Sequence, residues 1–178
     1  MPPARDKRPT AAATKRPAKT ATKPPAKDVR WLSSDEEAAW RAIAQVMVKL
    51  PWALECQLQR DAGLSFIEYH VLARLSEDPE HTLRMSELAV LANSSLSRLS
   101  HLVKRLELRG LVRRQADPAD GRFTNAIMTD AGYELLVATA PGHVERVRSL
   151  LMDGLSSAEV RQLHDASQRW LARLDASG

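Results

Sequence analysis

Between residues 94 and 122 the chain spaces short hydroxyls and cations so that they share one side of a helix and then border a turn. At about 100° per residue, Ser94, Ser97, Arg98, His101, Lys104 and Arg105 fall in one sector, and Ser95, at the start of the helix, is a further candidate contact. Leu96, Leu99, Leu102, Val103 and Leu106 fall in the opposite sector. Burying the apolar side aims the polar side outward. The chemistry such a face offers is recognition: short donors approach base edges while long cations reach the flanking phosphates. Farther along, Arg113, Arg114 and Arg122 border the run Asp117-Pro118-Ala119-Asp120-Gly121, which is turn-forming. The implied partner is double-stranded DNA. An ordinary amphipathic helix with a solvated charged face shows the same period, so the flanking elements have to decide.

Residues 84–93 read as a short helix capped by Ser86, with Asn93-Ser94 turning into the longer helix to complete a helix-turn-helix pair. Gly110 stops the second helix, since glycine tolerates the left-handed C′ position. Leu111 to Gln115 and Phe123 to Met128 are strand candidates, the latter alternating Phe123, Asn125 and Ile127 against Thr124, Ala126 and Met128. They form a two-stranded wing with Arg122 near its tip. The predicted fold is mainly α with a small β wing: a winged helix-turn-helix domain plus N- and C-terminal dimerisation helices.

Those terminal helices are surplus to a winged domain. One runs from Asp35 to about Asp61, broken or bent at Pro51. Ser65-Phe66-Ile67-Glu68 is a capping box opening a helix to about Ser76. Asp130 to about Asp153 is helical with a bend at Pro141-Gly142, and Ser156 to Glu159 is a second capping box opening a helix to about Ala176. The outer helices carry all four tryptophans, Trp31, Trp40, Trp52 and Trp170, and pairing of these helices between two chains explains them economically. The expected boundaries are a basic tail over 1–29 and a domain over 30–178, with dimerisation helices at 30–61 and 133–178.

Charge is unevenly distributed. Residues 1–28 hold eight cations against two acids and six of the ten prolines, without apolar periodicity, and read as a disordered tail. Because the whole chain carries +4, the remaining residues come to −2. Within 84–122, however, eight cations face four acids, a directed patch in a net-acidic domain. The tail is either a solubilising leader or an arm that grasps DNA without folding. It lacks the apolar core of a signal peptide, and no run of about 18 apolar residues suggests a membrane span. The expected location is cytoplasmic and nucleoid-associated.

Cys56 is the single cysteine, so no intrachain disulfide framework exists, and it reads as a buried or idle thiol. The five histidines lack close metal-ligand spacing, so no metal is expected and no cofactor either. No glycine-rich phosphate loop, nucleophile motif or carboxylate pair with a positioned histidine argues for an enzyme, and no catalytic residue is assigned.

The chain resembles the MarR family of bacterial transcription regulators over roughly residues 35–176. The resemblance rests on Leu106-Glu107-Leu108-Arg109-Gly110-Leu111-Val112, on Asp117-Pro118-x-Asp120-x-Arg122, and on Met128-Thr129-Asp130-x-Gly132. It implies a homodimer straddling a pseudo-palindromic operator, Arg122 entering a minor groove, and Asp120 bracing the wing by pairing with an arginine. It also implies a cleft for an aromatic or phenolic effector, lined by Met47, Trp52, Phe66, Tyr69 and His70. The sequence departs from the family at Ser100-His101, where many members have Thr-Arg, and at Gly121, often an arginine. His101 is either a neutral hydrogen-bonding group or one that changes charge near neutral pH. Peroxide-sensing relatives carry their cysteine far upstream of the tyrosine matching Tyr69, whereas Cys56 lies only 13 residues before it. Two functions follow: a sequence-specific regulator, most simply a repressor, or a nucleoid-architectural protein of low specificity whose tail is similar to those of linker histones.

Overall fold

Helix-forming runs with capping residues dominate the chain, and a computed structural model turns them into six α-helices and three short strands within the described residues, 29–176. The basic segment 1–28, read above as a tail, lies outside them. The described residues fall into two units, divided between Ala39 and Trp40. The described part of the first holds the start of α1 (Ser34–Ala62), where Ser33 N–H donates to the Glu36 carboxylate at 2.8 Å and caps the first turn. The second unit holds the rest of α1 and every other element.

Helix α1 continues through Pro51 and ends at Gly63, whose φ of +61° lets the chain turn into α2 (Phe66–Glu77). Ser65 and Glu68 form the expected reciprocal cap there. Strand β1 (Thr82–Arg84), absent from the sequence reading, leads into α3 (Met85–Leu91) and α4 (Leu96–Leu108). Strands β2 (Val112–Ala116) and β3 (Thr124–Met128) follow, in the antiparallel order β1-β3-β2. Three residues show no alternation, which is why β1 went unseen; it is held by pairing Thr82 with Ile127 and Arg84 with Asn125. Helix α5 (Asp130–Val147) passes through Pro141 and changes pitch only after Val147, in a π-helical turn at Arg148–Met152, before α6 (Ser157–Asp175). The irregularity therefore lies beyond the expected Pro141-Gly142 bend.

One core joins α2, α3, α4 and the sheet. Leu72, Leu75, Leu88, Leu99, Val103, Leu106, Val112 and Ala126 are essentially inaccessible there, each large aliphatic stabilising by about 1.5–3 kcal/mol on burial. The α4 stripe supplies Leu99, Leu102, Val103 and Leu106 as expected, whereas Leu96 is 54% exposed. It is the first residue of the helix, at the sector's edge, and it lines the cleft toward the wing instead of the core.

The outer helices look different. Helix α6 has no buried residue. Val46, Met47, Val48, Trp52, Val144, Trp170 and Leu171 all stay exposed in the single chain, as do Trp31 and Trp40. Among the described residues no helix is long and apolar enough to cross a membrane, and no three His, Cys, Asp or Glu side chains are grouped to hold a metal. Cys56 is exposed rather than buried, because it lies on the side of α1 opposite the buried Leu54 and Leu58.

Candidate nucleic-acid interface

The turn between α3 and α4 sets the site. Asn93 adopts φ +45°, a left-handed conformation that asparagine tolerates better than most residues. Ser94 N–H donates to Ala89 O at 2.9 Å, and the Ser95 hydroxyl accepts from Arg98 N–H at 3.4 Å as the N-cap of α4. Ser94 and Ser95, expected on the reading face, thus spend their polar groups on the turn; the Ser94 hydroxyl donates to Ser95 O at 3.4 Å. Helix α3 starts one residue before the expected cap. Arg84, not Ser86, is its N-cap, and the Glu87 carboxylate accepts from the Arg84 amide at 3.4 Å.

Along α4, Ser97, Arg98, His101 and Lys104 are exposed on one face, and among the described residues no hydrogen bond or ion pair occupies the side chains of Ser97, Arg98 and Lys104. Arg105 differs. Its Nε donates at 3.0 Å to Glu68 of α2, a carboxylate with 9% side-chain exposure. Burial alone would raise the Glu68 pKa, but the Ser65 amide and hydroxyl together with Arg105 outweigh it and hold the carboxyl below its usual range. Arg109 donates to Gly63 O at 2.8 Å and Ala62 O at 3.0 Å, tying the end of α4 to the α1–α2 corner. These two cations fasten the helix to its support.

Alternation along β2 separates the next two arginines. Arg114 faces α4 and is gripped by Glu107, from Nε at 3.0 Å and Nη2 at 2.7 Å, with its amide at 3.1 Å from the same carboxylate. These bonds keep the Glu107 pKa low. Arg113 lies on the other sheet face with Glu80, Thr82 and Asn125 and bonds Gln115. The sequence grouped both with the DNA-contacting cations, but the structure gives Arg114 a bracing role in the hairpin and turns Arg113 away from α4.

The wing tip carries Arg122, 86% exposed. Asp120 holds it with contacts from Nε at 3.0 and 3.1 Å and from Nη2 at 2.6 Å. The pairing lowers the Asp120 pKa and raises that of Arg122. A second carboxylate was missed. Asp117, buried at the root of the loop, accepts from Ala119 and Asp120 amides and from Arg84 Nε at 3.0 Å. Its place in an Asp-Pro turn was the available signal.

Between α4 and the wing lies a cleft of about 240 Å³, lined by Met85, Ser86, Leu96, Ser100, Arg114, Arg122, Phe123 and Thr124. Leu96 and Ser100 were not assigned to the reading surface, although the N-terminal part of a recognition helix is where base contacts concentrate. The geometry thus offers an exposed hydroxyl-and-cation helix face, an apolar and hydroxyl-lined cleft, and an extended guanidinium beyond it.

Of the five expected effector residues, Phe66, Tyr69 and His70 lie on α2, and Met47 and Trp52 lie on α1. Phe66 stacks on His70 and Tyr69 on His143, each pair with ring centroids 4.4 Å apart. His143 Nδ1 lies 3.3 Å from Gln57 Oε1. Burial pushes the Tyr69 pKa up and those of His70 and His143 down, with Arg74 adding to the effect at His70 and His70 at His143. Met47 and Trp52 stand exposed on α1: helical spacing turns Trp52 to the side opposite the buried Leu54 and Leu58, whereas Met47 shares their side two turns earlier and is left uncovered. An apolar cleft of about 410 Å³ does exist nearby, but Val46, Leu50, Ala53, Leu150 and Leu151 line it.

Comparison with known proteins agrees with this geometry. The MarR family model matches residues 62–122, from the α1–α2 corner to the wing arginine. Sco3205 of Streptomyces coelicolor, a MarR family transcriptional regulator solved in complex with DNA, is 43% identical, with a TM-score of 0.78 over 81% of this chain and 94% of that one. AbsC from the same organism, also a MarR family regulator, is 36% identical, with a TM-score of 0.79 over 83% and 99%. The transcriptional repressor MprA of Escherichia coli is 27% identical over 113 residues, 64% of either chain, so the match spans just under two thirds of that relative. Since the likeness runs through nearly all of both Streptomyces regulators, outer helices included, this chain belongs to the MarR family of transcriptional regulators.

Proposed function

We propose that the protein is a homodimeric, sequence-specific DNA-binding regulator, most simply a repressor that occludes a promoter. Helix α4 enters the major groove of each half-site and Arg122 the adjacent minor groove. The observation that carries this reading is the juxtaposition of the exposed Ser97, Arg98, His101 and Lys104 face with a wing holding Arg122 out into solvent. The exposed tryptophans and the uncovered α6 support pairing with a second copy, which places two reading heads on a pseudo-palindrome. The repressor name of MprA and the DNA-bound state of Sco3205 favour the same reading. Release by an aromatic or phenolic effector belongs to the proposal too, supported by the Phe66–His70 and Tyr69–His143 pairs beside α5.

The test is selection of bound duplexes from random sequence with the full chain, followed by titration of the best site and a scrambled one at a single salt concentration. A regulator prefers its site by about 10³-fold or more. Near-equal affinities would make the protein architectural, the reading its basic residues 1–28 favour.

A further inference from the structure

Arg84 belongs neither to the exposed face of α4 nor to the wing tip, yet three separate contacts tie it to the wing. Its Nε donates to Asp117 Oδ2 at 3.0 Å. Its guanidinium carbon stands 4.7 Å from the centroid of the Phe123 ring. Its backbone pairs with Asn125 in β3. Asp117 is 8% exposed and gathers the loop around itself, accepting from the Ala119 amide at 2.8 Å and the Asp120 amide at 3.3 Å. The Asp117 amide donates to Phe123 O, and the Phe123 amide to Asp120 O, both at 3.0 Å. The loop from 117 to 123 thus closes on one buried carboxylate, and the cation facing that carboxylate is Arg84. Asp120, which grips Arg122, is built on the same loop.

We propose that Arg84 is a positioning residue for Arg122, fixing the height and direction at which the wing presents that guanidinium while making no DNA contact of its own. The inference rests on the minor-groove reading of Arg122. Arg84 immediately precedes α3, so it fixes the wing relative to the helix-turn-helix pair and does more than close a loop. It grips both flanks of the hairpin, Asp117 on the outgoing side and Phe123 on the returning one. A planar guanidinium can donate to a carboxylate while lying over an aromatic ring, whereas a lysine ammonium keeps the charge and loses that double geometry.

The experiment compares Arg84→Ala, Arg84→Lys, Arg122→Ala and the Arg84→Ala/Arg122→Ala double variant in the full chain. Each is titrated on the selected operator with A·T-rich or G·C-rich flanks, with melting temperature and amide hydrogen exchange alongside. Arg84→Ala is expected to weaken operator binding about tenfold and erase the preference for A·T flanks, as loss of a specific arginine contact would. The double variant should bind no worse than Arg122→Ala alone. Arg84→Lys should recover the melting temperature but only part of the flank preference. The Ala119 and Asp120 amides should exchange faster in Arg84→Ala.

Additive losses, with the salt slope lowered by roughly a further 0.9, would make Arg84 a phosphate contact and overturn the proposal. So would an intact flank preference in Arg84→Ala, or unchanged exchange at Ala119 and Asp120. If Arg122→Ala leaves the flank preference untouched while those amides do loosen in Arg84→Ala, the minor-groove reading has failed and Arg84 still seats the wing.

Discussion

Gly132 lies in the first turn of α5, where a Cβ would stand 2.1 Å from the backbone oxygen of Leu111 and 3.0 Å from Met128 Cγ. The methionine end can yield. The carbonyl cannot do so cheaply, because it accepts the Thr129 amide at 3.1 Å and leads directly into β2. Restoring ordinary contact in Gly132→Ala requires the α5–β2 junction to open by more than about 1 Å, the interior being close-packed. Overpacking costs about 1–3 kcal/mol, and losing the Thr129 bond about 1 kcal/mol. Alanine for glycine in a helix returns about 1 kcal/mol. Because the obstacle is backbone, the expected net loss sits toward the top of that range, about 2–3 kcal/mol, or roughly 5–10 °C in melting temperature for a chain of this size. Two other glycines calibrate the result. Gly110→Ala meets open space but at φ +71°, and costs about 1 kcal/mol for the left-handed backbone. Gly121→Ala meets nothing within 4 Å and has no such backbone demand, so it should melt with the parent. Thermal unfolding followed by far-ultraviolet circular dichroism ranks the three. A Gly132→Ala protein melting above Gly110→Ala, or within roughly 2 °C of the parent, would refute the reasoning.

Arg105→Ala strands the Glu68 carboxylate. Its folded-state pKa lies below the ordinary 4.5, so the pair's stability is present above that value and is lost as pH falls through the folded pKa. Removing Arg105 raises that pKa and moves the onset of acid destabilisation to higher pH in urea melts, with a loss at neutral pH of about 1 kcal/mol or slightly more, since only one partner is buried. Arg122→Ala should weaken operator binding by about 1–3 kcal/mol, most on A·T-rich flanks. Arg113→Ala, on the far sheet face, should change it by a few tenths of a kcal/mol at most, as an exposed surface substitution does; equal losses in competition titrations would discredit the sheet-face assignment. Truncation after Leu155 removes α6 and Trp170 and should yield a monomer by sedimentation with weakened operator binding, because the second half-site is no longer tethered. A truncated chain that sediments as a dimer would reassign the outer helices.

The helix-turn-helix was legible because α4 repeats its leucines at helical spacing and ends at Gly110, signals carried within one short window. The wing was legible from its turn residues. What the sequence hid were partnerships that only tertiary structure creates. Arg98 and Arg105 look alike as letters, yet Glu68, 37 residues upstream, reaches one and not the other. Arg113 and Arg114 differ only in which side of β2 they occupy, and that is decided by the register pairing Arg114 with Ala126. Asp120 could be named from a motif, whereas Asp117 matters because the loop folds around it. Met47 and Trp52 misled because apolar residues on a helix signal burial without saying by what. The single chain leaves both uncovered.

Strand β1 joins the wing to the helix preceding the reading helix, since β3 pairs with β1 on one side and β2 on the other. The wing is thereby tied through β1 to α3, and through their shared core to α4. In the proposed complex, the spacing between the major-groove helix and the minor-groove arginine is set by the protein, and the duplex must supply matching groove phase. Such a rigid two-point gauge responds to helical twist as well as to base identity. Occupancy of one operator would then vary with the superhelical tension of the DNA that carries it, at constant protein concentration and without any bound small molecule.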